Sequence, residues 1–383
     1  MLGAVLAAGP APAAPFVPAD DALVLDRLPD REDAAGEALR RALAADPHNV
    51  DAVLALARHD IEQAQRLADP RWLGRAEAAM RPLLATAEPP PKVVLLHAVV
   101  LQSNHDFAAS LTALGQVLAA EPRNGQAWLT RASIEQVGAD YRAALADCGH
   151  FAALLAGLAA DTCTAGVMAL TGRAPLALRA LTISLRENAA APAPVRLWAA
   201  TLAAETAAWL DDASAERRFV DALAIDAADP YLLGAWTDWL LDHARHQDVI
   251  RLLAGAARID PLLLRLALAE QALGRPEAAA HIADLAARFE TSRLRGDTVH
   301  RREEARFRLQ LQHDPQAAVA LAAANWTVQR EPADALVLLQ AALASGKPAA
   351  AAPVLAWLRD NRVQNVRLAA LAAQLAASAG TGG

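Results

Sequence analysis

PKVVLLHAVVLQSNHDFAASLTALGQVLAAEPRNGQAWLTRASIEQVGADYRAALADCGHF, residues 91–151, repeats itself on a shift of 34 positions, with Pro91 falling on Gly125. The first copy carries Val94, Ala98, Leu101, His105-Asp106-Phe107, Ser110, Leu114, Val117 and Glu121-Pro122. The second carries Trp128, Ala132, Glu135, Ala139-Asp140-Tyr141, Ala144, Cys148 and Phe151. Each copy reads as two amphipathic helices joined by a short polar turn, with an aromatic opening the second helix. Small residues such as Ala98, Ala132 and Ala144 allow paired helices to approach closely, and large ones such as Leu114, Trp128 and Tyr141 fill the remaining gaps. A closing proline cannot continue the previous helix and suits the start of the next.

This pattern resembles the tetratricopeptide repeat (TPR), whose 34-residue unit sets a large residue, a small residue, a turn, an aromatic, alanines and a closing proline in that order. Weaker copies extend outward on both sides. Ala35 to Asp46-Pro47 matches the second half of a unit, and Val53 opens another that turns at Asp69-Pro70. Downstream copies are anchored on Gly172-Arg173, Asp229-Pro230, Asp260-Pro261 with Gly274, Asp314-Pro315 with Glu331-Pro332, and Gly346-Lys347-Pro348. The resemblance implies an all-α, right-handed superhelical solenoid of about nine or ten hairpins over residues 16–377. Residues 1–15 read as a signal-like or flexible leader and 378–383 as a flexible tail. The Ala/Pro segment 189–194 marks either a break between two lobes or an ordinary loop. Because each hairpin buries its apolar face only against neighbours, the array is expected to be open rather than closed.

Composition agrees with the helical reading. Of 383 residues, 55% are hydrophobic but only 4% aromatic, and roughly a quarter are alanine, which favours helix over strand. The net charge of −7, with Lys92 and Lys347 the only lysines and no basic block, argues against nucleic-acid binding. No segment reaches the length of apolar sequence needed to span a bilayer. The opening MLGAVLAAGPAPAAP has a short apolar stretch and an Ala-x-Ala-like site but lacks a basic start. Periplasmic or exported location is the expectation from it, with the cytoplasm as the alternative.

Cys148 and Cys163 lie fifteen apart on successive helices. That spacing fits a disulfide in an oxidising compartment, or two small buried thiols. The most charged segment, 288–308, holds seven arginines against Glu290, Asp297, Glu303 and Glu304. Gly296 is expected to end one helix and Asp297 or Thr298 to cap the next, running to Gln312. Arg302 and Arg306 share a face of that helix, with Arg295 and His300 at its rim. Clustered arginines suit carboxylate recognition, so these four form the candidate site for an acidic partner segment. The same pattern also fits an ion-pair face between hairpins. Together with Asn325-Trp326 and Gln329 to Pro332, the stretch is similar to uncharacterised proteobacterial TPR proteins.

His243 and His246, near Asp238, Asp242 and Asp248, have metal-compatible spacing, but a histidine at a helix end is as well explained by the helix dipole; no metal and no cofactor are assigned. Trp198, Trp209, Trp236 and Trp239 read as hairpin packing rather than an aromatic groove. No nucleophile elbow, phosphate loop or zinc-protease motif is present. The carboxylate clamp that some TPR proteins use would need basic and amide groups where this chain has Leu95, Val99, Leu129 and Ser133. The function expected is a non-catalytic scaffold holding a peptide or helix of a partner protein. The alternatives are a helper in export or maturation of an envelope protein and, less favoured, an (α/α) barrel hydrolase.

Overall fold

The computed structural model describes residues 33–296 and 299–380. The regular elements among them are helices, and no strand is present. In order they are α1 (Ala34–Ala45), α2 (Val50–Leu67), α3 (Arg71–Leu84), α4 (Pro91–Ser103), α5 (Phe107–Ala120), α6 (Gly125–Val137) and α7 (Tyr141–Leu154). The middle holds α8 (Leu158–Leu170), α9 (Ala174–Glu187), α10 (Ala193–Trp209), α11 (Ala215–Leu223), α12 (Pro230–Asp242), α13 (His246–Leu252) and α14 (Asp260–Ala272). The remainder are α15 (Glu277–Leu294), α16 (Arg301–Gln310), α17 (Pro315–Trp326), α18 (Pro332–Ala344), α19 (Ala352–Asp360) after a 3-10 turn, and α20 (Val366–Gly380).

The helix starts follow from side-chain chemistry. Asn49, Asp106, Asn124, Asp140, Asp229 and Asp314 each accept a hydrogen bond from the backbone N–H three residues on, which satisfies one of the donors a helix N-terminus leaves open. At Asp229-Pro230 and Asp314-Pro315 the proline then occupies the first helical position, where its missing N–H costs nothing. The turns inside the hairpins share a left-handed residue. It is glycine at Gly172 (φ 73°) and Gly346 (φ 67°), but His105 (φ 59°) and Ala139 (φ 65°) hold the same conformation. The geometry is retained at a small steric cost where the glycine has drifted away.

From α2 to α19 the helices pair as nine consecutive antiparallel hairpins, each first helix packed along its own second helix. First helices also touch one another in sequence, α2 to α4, α6, α8 and onward to α18, whereas the second helices make no comparable contacts. The stack therefore curves with its even-numbered helices on the inside. Helix α20 occupies the place beside α18 that a further first helix would take.

The curvature brings distant hairpins together. Helix α12 comes alongside α2, and the chain continues past that meeting point into α14–α20. This is a turn of a superhelix and not a sealed ring. One buried cluster unites Tyr141, Cys148, Cys163 and Leu170 of the central hairpins with Trp326, Leu338 and Trp357 near the C-terminus. The expectation that each hairpin buries its apolar face only against neighbours is thus corrected: the second superhelical turn docks on the rim of the first. The rotation per hairpin sets this closure, and no single repeat encodes it.

Three boundaries are also clarified. Helix α10 packs on both α8 and α9, and Leu185 belongs to the packing of two neighbouring clusters, so helix packing continues across residues 189–194. The alanine-rich end of α20 stays helical to Gly380, which corrects the expected tail at 378–380; residues 381–383 lie outside the described residues, as does the expected leader 1–15. Cys148 of α7 and Cys163 of α8 form a disulfide with their Cα atoms 5.6 Å apart. No described helix is long and apolar enough to cross a membrane.

Candidate interaction face

A largely apolar first helix that carries an ionic group in its middle must find that group a partner. Helix α14 is such a case, with Arg265 inside the run PLLLRLALA, and α12 is another, with Asp238 between two tryptophans. On the inner face these two meet. Arg265 donates to Asp238 Oδ2 at 2.5 Å and also to the carbonyl oxygens of Gly234 and Pro261. Arg306 of α16 donates to the other oxygen, Asp238 Oδ1, at 2.5 Å. One carboxylate on α12 therefore ties three consecutive first helices together.

The ladder continues at Arg302, one turn earlier on α16. Its guanidinium lies 3.0 Å from Glu303, 3.5 Å from Asp334 and 3.8 Å from Glu331. Asp334 is almost fully buried; it accepts from Asn325 Nδ2 at 2.8 Å and from the backbone N–H of Glu331 at 3.0 Å, closing a capping box at the start of α18. On the other flank, Tyr231 of α12 donates its hydroxyl to Glu205 of α10 at 3.1 Å. Arg367 of α20 pairs with Asp242 at the end of α12.

The face is recessed, and its carboxyls show it. Burial pushes Glu205 up to about 8, only partly offset by the Tyr231 hydrogen bond. Burial likewise carries Asp242 up to about 6 against the pull of Arg367, and raises Glu331 with help from the neighbouring Asp334 charge. At Asp238 burial also acts upward, but Arg265 and Arg306 outweigh it and hold the carboxyl down at about 2. Tyr231 nonetheless remains 63% exposed, a large ring standing open inside the curve.

These shifts give a pH dependence of definite sign. A carboxyl whose pKa is raised on folding binds more protons in the native state, so stability falls as pH rises between the unfolded and folded values. For Glu205 that window runs from about 4.5 to about 8. The thermal midpoint should therefore decline across it, and Glu205→Gln should flatten the decline. Asp238 acts in the opposite sense, its contribution being lost only as the pH falls through about 2.

The four residues marked in the sequence are only partly brought together. Arg302 and Arg306 sit side by side on the inner face, each already engaged by carboxylates. Arg295 stands exposed at the end of α15 and reaches Ser292 Oγ at 3.3 Å. His300 lies at the N-cap of α16, close to Glu303, whose carboxyl burial pushes upward but Arg302 chiefly holds below the usual range. Helix α16 starts at Arg301, later than expected, and the capping residues proposed for it, Asp297 and Thr298, lie outside the described residues. Gly296, with φ 73°, does end α15 as its lack of a Cβ allows.

Other candidates resolve into packing. His243 stacks on Trp239 at 3.7 Å and its Nδ1 lies 2.7 Å from the Trp239 carbonyl oxygen; no group of three or more metal-ligating side chains occurs among the described residues. Trp236 is buried between Phe219 and Trp239. Glu205, Tyr231 and Arg265 were not singled out from sequence. An isolated ionic residue inside an apolar first helix was the signal available for Arg265.

No family model matches the chain. No curated protein matches it either. Among solved structures it is similar to a tetratricopeptide repeat protein from Parabacteroides merdae, with 14% identity, 74% of this chain and 98% of that one covered, and a TM-score of 0.32. It is also similar to the TPR domain of P58(IPK), with 12% identity, 82% and 93% covered, and a TM-score of 0.25.

Proposed function

We propose that this chain is a non-catalytic protein-interaction scaffold that holds a segment of a partner protein along the inner face of its first helices. The observation that carries the reading is Tyr231, an aromatic ring left exposed in a recess beside Glu205 and among ionic side chains drawn from several hairpins. The charge balance there bears on the partner. Glu205, Asp238, Asp242, Glu303, Glu331 and Asp334 stand beside Arg265, Arg302, Arg306 and Arg367, with burial raising Glu205 to about 8 and so leaving it mostly protonated near neutral pH. An acidic segment at Arg302 and Arg306 would have to displace built-in carboxylates. A basic side chain would instead stack on the face of Tyr231, a favourable cation–π geometry, and would draw the neighbouring Glu205, which burial holds protonated, into its ionised form.

Anisotropy of labelled peptides of matched length, one set arginine-containing and one glutamate-containing, tests this. The arginine set should bind, and Tyr231→Ala or Glu205→Gln should weaken it by about tenfold or more. Binding of the glutamate set, lost in Arg302→Glu with Arg306→Glu, would restore the acidic reading in place of this one. The Cys148–Cys163 disulfide supports a second element of the proposal, residence in an oxidising compartment such as the periplasm. A role in export or maturation of an envelope protein would be one use of such a scaffold there.

A further inference from the structure

We infer that Glu205 is a proton-gated anchor: it exchanges its proton for a guanidinium of the partner segment, which is held more tightly as the pH rises and released in acid. The inference rests on the scaffold reading above and adds its regulation. Among the carboxyls of the inner face, Glu205 is set apart by its neighbours. Asp238 has Arg265 and Arg306, Asp242 has Arg367, and Glu303, Glu331 and Asp334 share Arg302, every pair at 3.8 Å or less. Glu205, half-buried on α10, forms no ion pair among the described residues; its partner is the Tyr231 hydroxyl.

That hydroxyl donates to both carboxyl oxygens, 3.1 Å from Oε1 and 3.2 Å from Oε2. The charges that act on Glu205 come from Asp238 of α12, Arg302 of α16 and Glu331 of α18. Asp238 and Glu331 oppose its ionisation, and Arg302 is already divided among three other carboxyls. Helices α8, α9 and α11 also pack on α10 but supply none of the charges that act on it most. A recessed carboxyl with no countercharge of its own keeps its proton, and burial accordingly carries this one up to about 8.

A cation reverses that balance. The hydroxyl edge of the exposed Tyr231 ring already lies against Glu205, so a guanidinium stacked on the ring face is brought beside the carboxyl. The neutral acid and the guanidinium become an ion pair held by charge-assisted hydrogen bonds, and one proton passes to solvent. Binding and proton release are then linked, and only the ionised fraction of Glu205 is competent to pair. Arginine keeps its charge throughout, and Tyr231, pushed upward by the Glu205 charge and by burial, stays neutral. The pH dependence therefore belongs to Glu205 and has one sign, affinity falling as the pH falls.

Anisotropy of an acetylated arginine-containing peptide at constant ionic strength, from about pH 8.5 to about pH 6, tests the gate. The dissociation constant should rise at least tenfold on acidification, towards a ceiling of about eightyfold set by the ionised fraction of a group at about 8. Glu205→Gln should bind weakly with little dependence on pH, whereas Glu331→Gln should keep the slope. The reverse pattern would assign the gate to Glu331 and overturn its assignment to Glu205. Infrared difference spectra of the parent protein against Glu205→Gln supply a readout without ligand. At about pH 6.5 they should show a protonated carboxyl, and the same band of the parent should fall when the peptide is added. An ionised Glu205 there overturns the gate, whatever the peptide does. Equal affinity at both ends of the pH range also overturns it and leaves the basic-partner reading standing. No peptide binding at about pH 8.5 removes the basic-partner reading, and the gate with it.

Discussion

Asp238→Ala is expected to destabilise the protein by about 3–5 kcal/mol, the cost of removing one partner from a buried ionic group. Arg265 and Arg306 retain only 10% and 16% side-chain exposure, and both aim at this one carboxylate. Without it, two guanidinium groups are left facing each other across the α14–α16 interface, so like-charge repulsion adds to the lost pairing. Asp238→Asn keeps the shape and one acceptor, and should cost less than alanine does. Chemical denaturation of the two variants beside Glu216→Ala provides the scale. Glu216 pairs with Arg245 at an exposed site, where a salt bridge is worth about 1 kcal/mol or less. Equal losses for Asp238→Ala and Glu216→Ala would show that the inner-face ladder is solvated and carries no structural weight.

How far such a ladder is legible in sequence depends on the distance over which its causes act. Helix starts are local: Asp106, Asp140, Asp229 and Asp314 each bond to a backbone group three residues away, and the 34-residue unit is one hairpin long. Those features, and with them the all-α solenoid, were readable. The Asp238–Arg265 contact spans 27 residues, close to one unit, and was in principle within reach. Asp238–Arg306 spans 68 and Tyr141–Trp357 spans 216. These depend on the rotation accumulated over many hairpins, including short ones such as α12/α13, where α13 has only seven residues. A small change in pitch would separate them without altering any repeat. The arginine-rich segment was therefore visible as a cluster, while the carboxylates that occupy it, and the closure that recesses it, were not.

That segment also shows why its few apolar residues matter more than its many charged ones. Helix α16, RREEARFRLQ, packs along α17 with Ala305 and Phe307 fully buried and Leu309 partly so, while most of its other side chains are held in ion pairs. Phe307 is 1% exposed and packs against Phe289 of α15, with ring centroids 5.3 Å apart. Truncating it to alanine should cost about 3–5 kcal/mol, the usual range for a large aromatic lost from a core. The consequence reaches further than the cavity. Arg302 and Arg306 are positioned by the same helix, whose other large apolar residue, Leu309, is only partly buried against the core, so a loosened α16 withdraws both guanidinium groups from Asp238 and Asp334. Phe307→Ala and Asp238→Ala should accordingly be less than additive, since each already releases the interaction the other removes. Phe307→Leu retains most of the apolar volume and should recover the greater part of the loss. Full additivity of the two alanine variants in urea unfolding would mean that α16 holds its place without Phe307. In that case the ion pairs, and not the apolar anchor, position this helix.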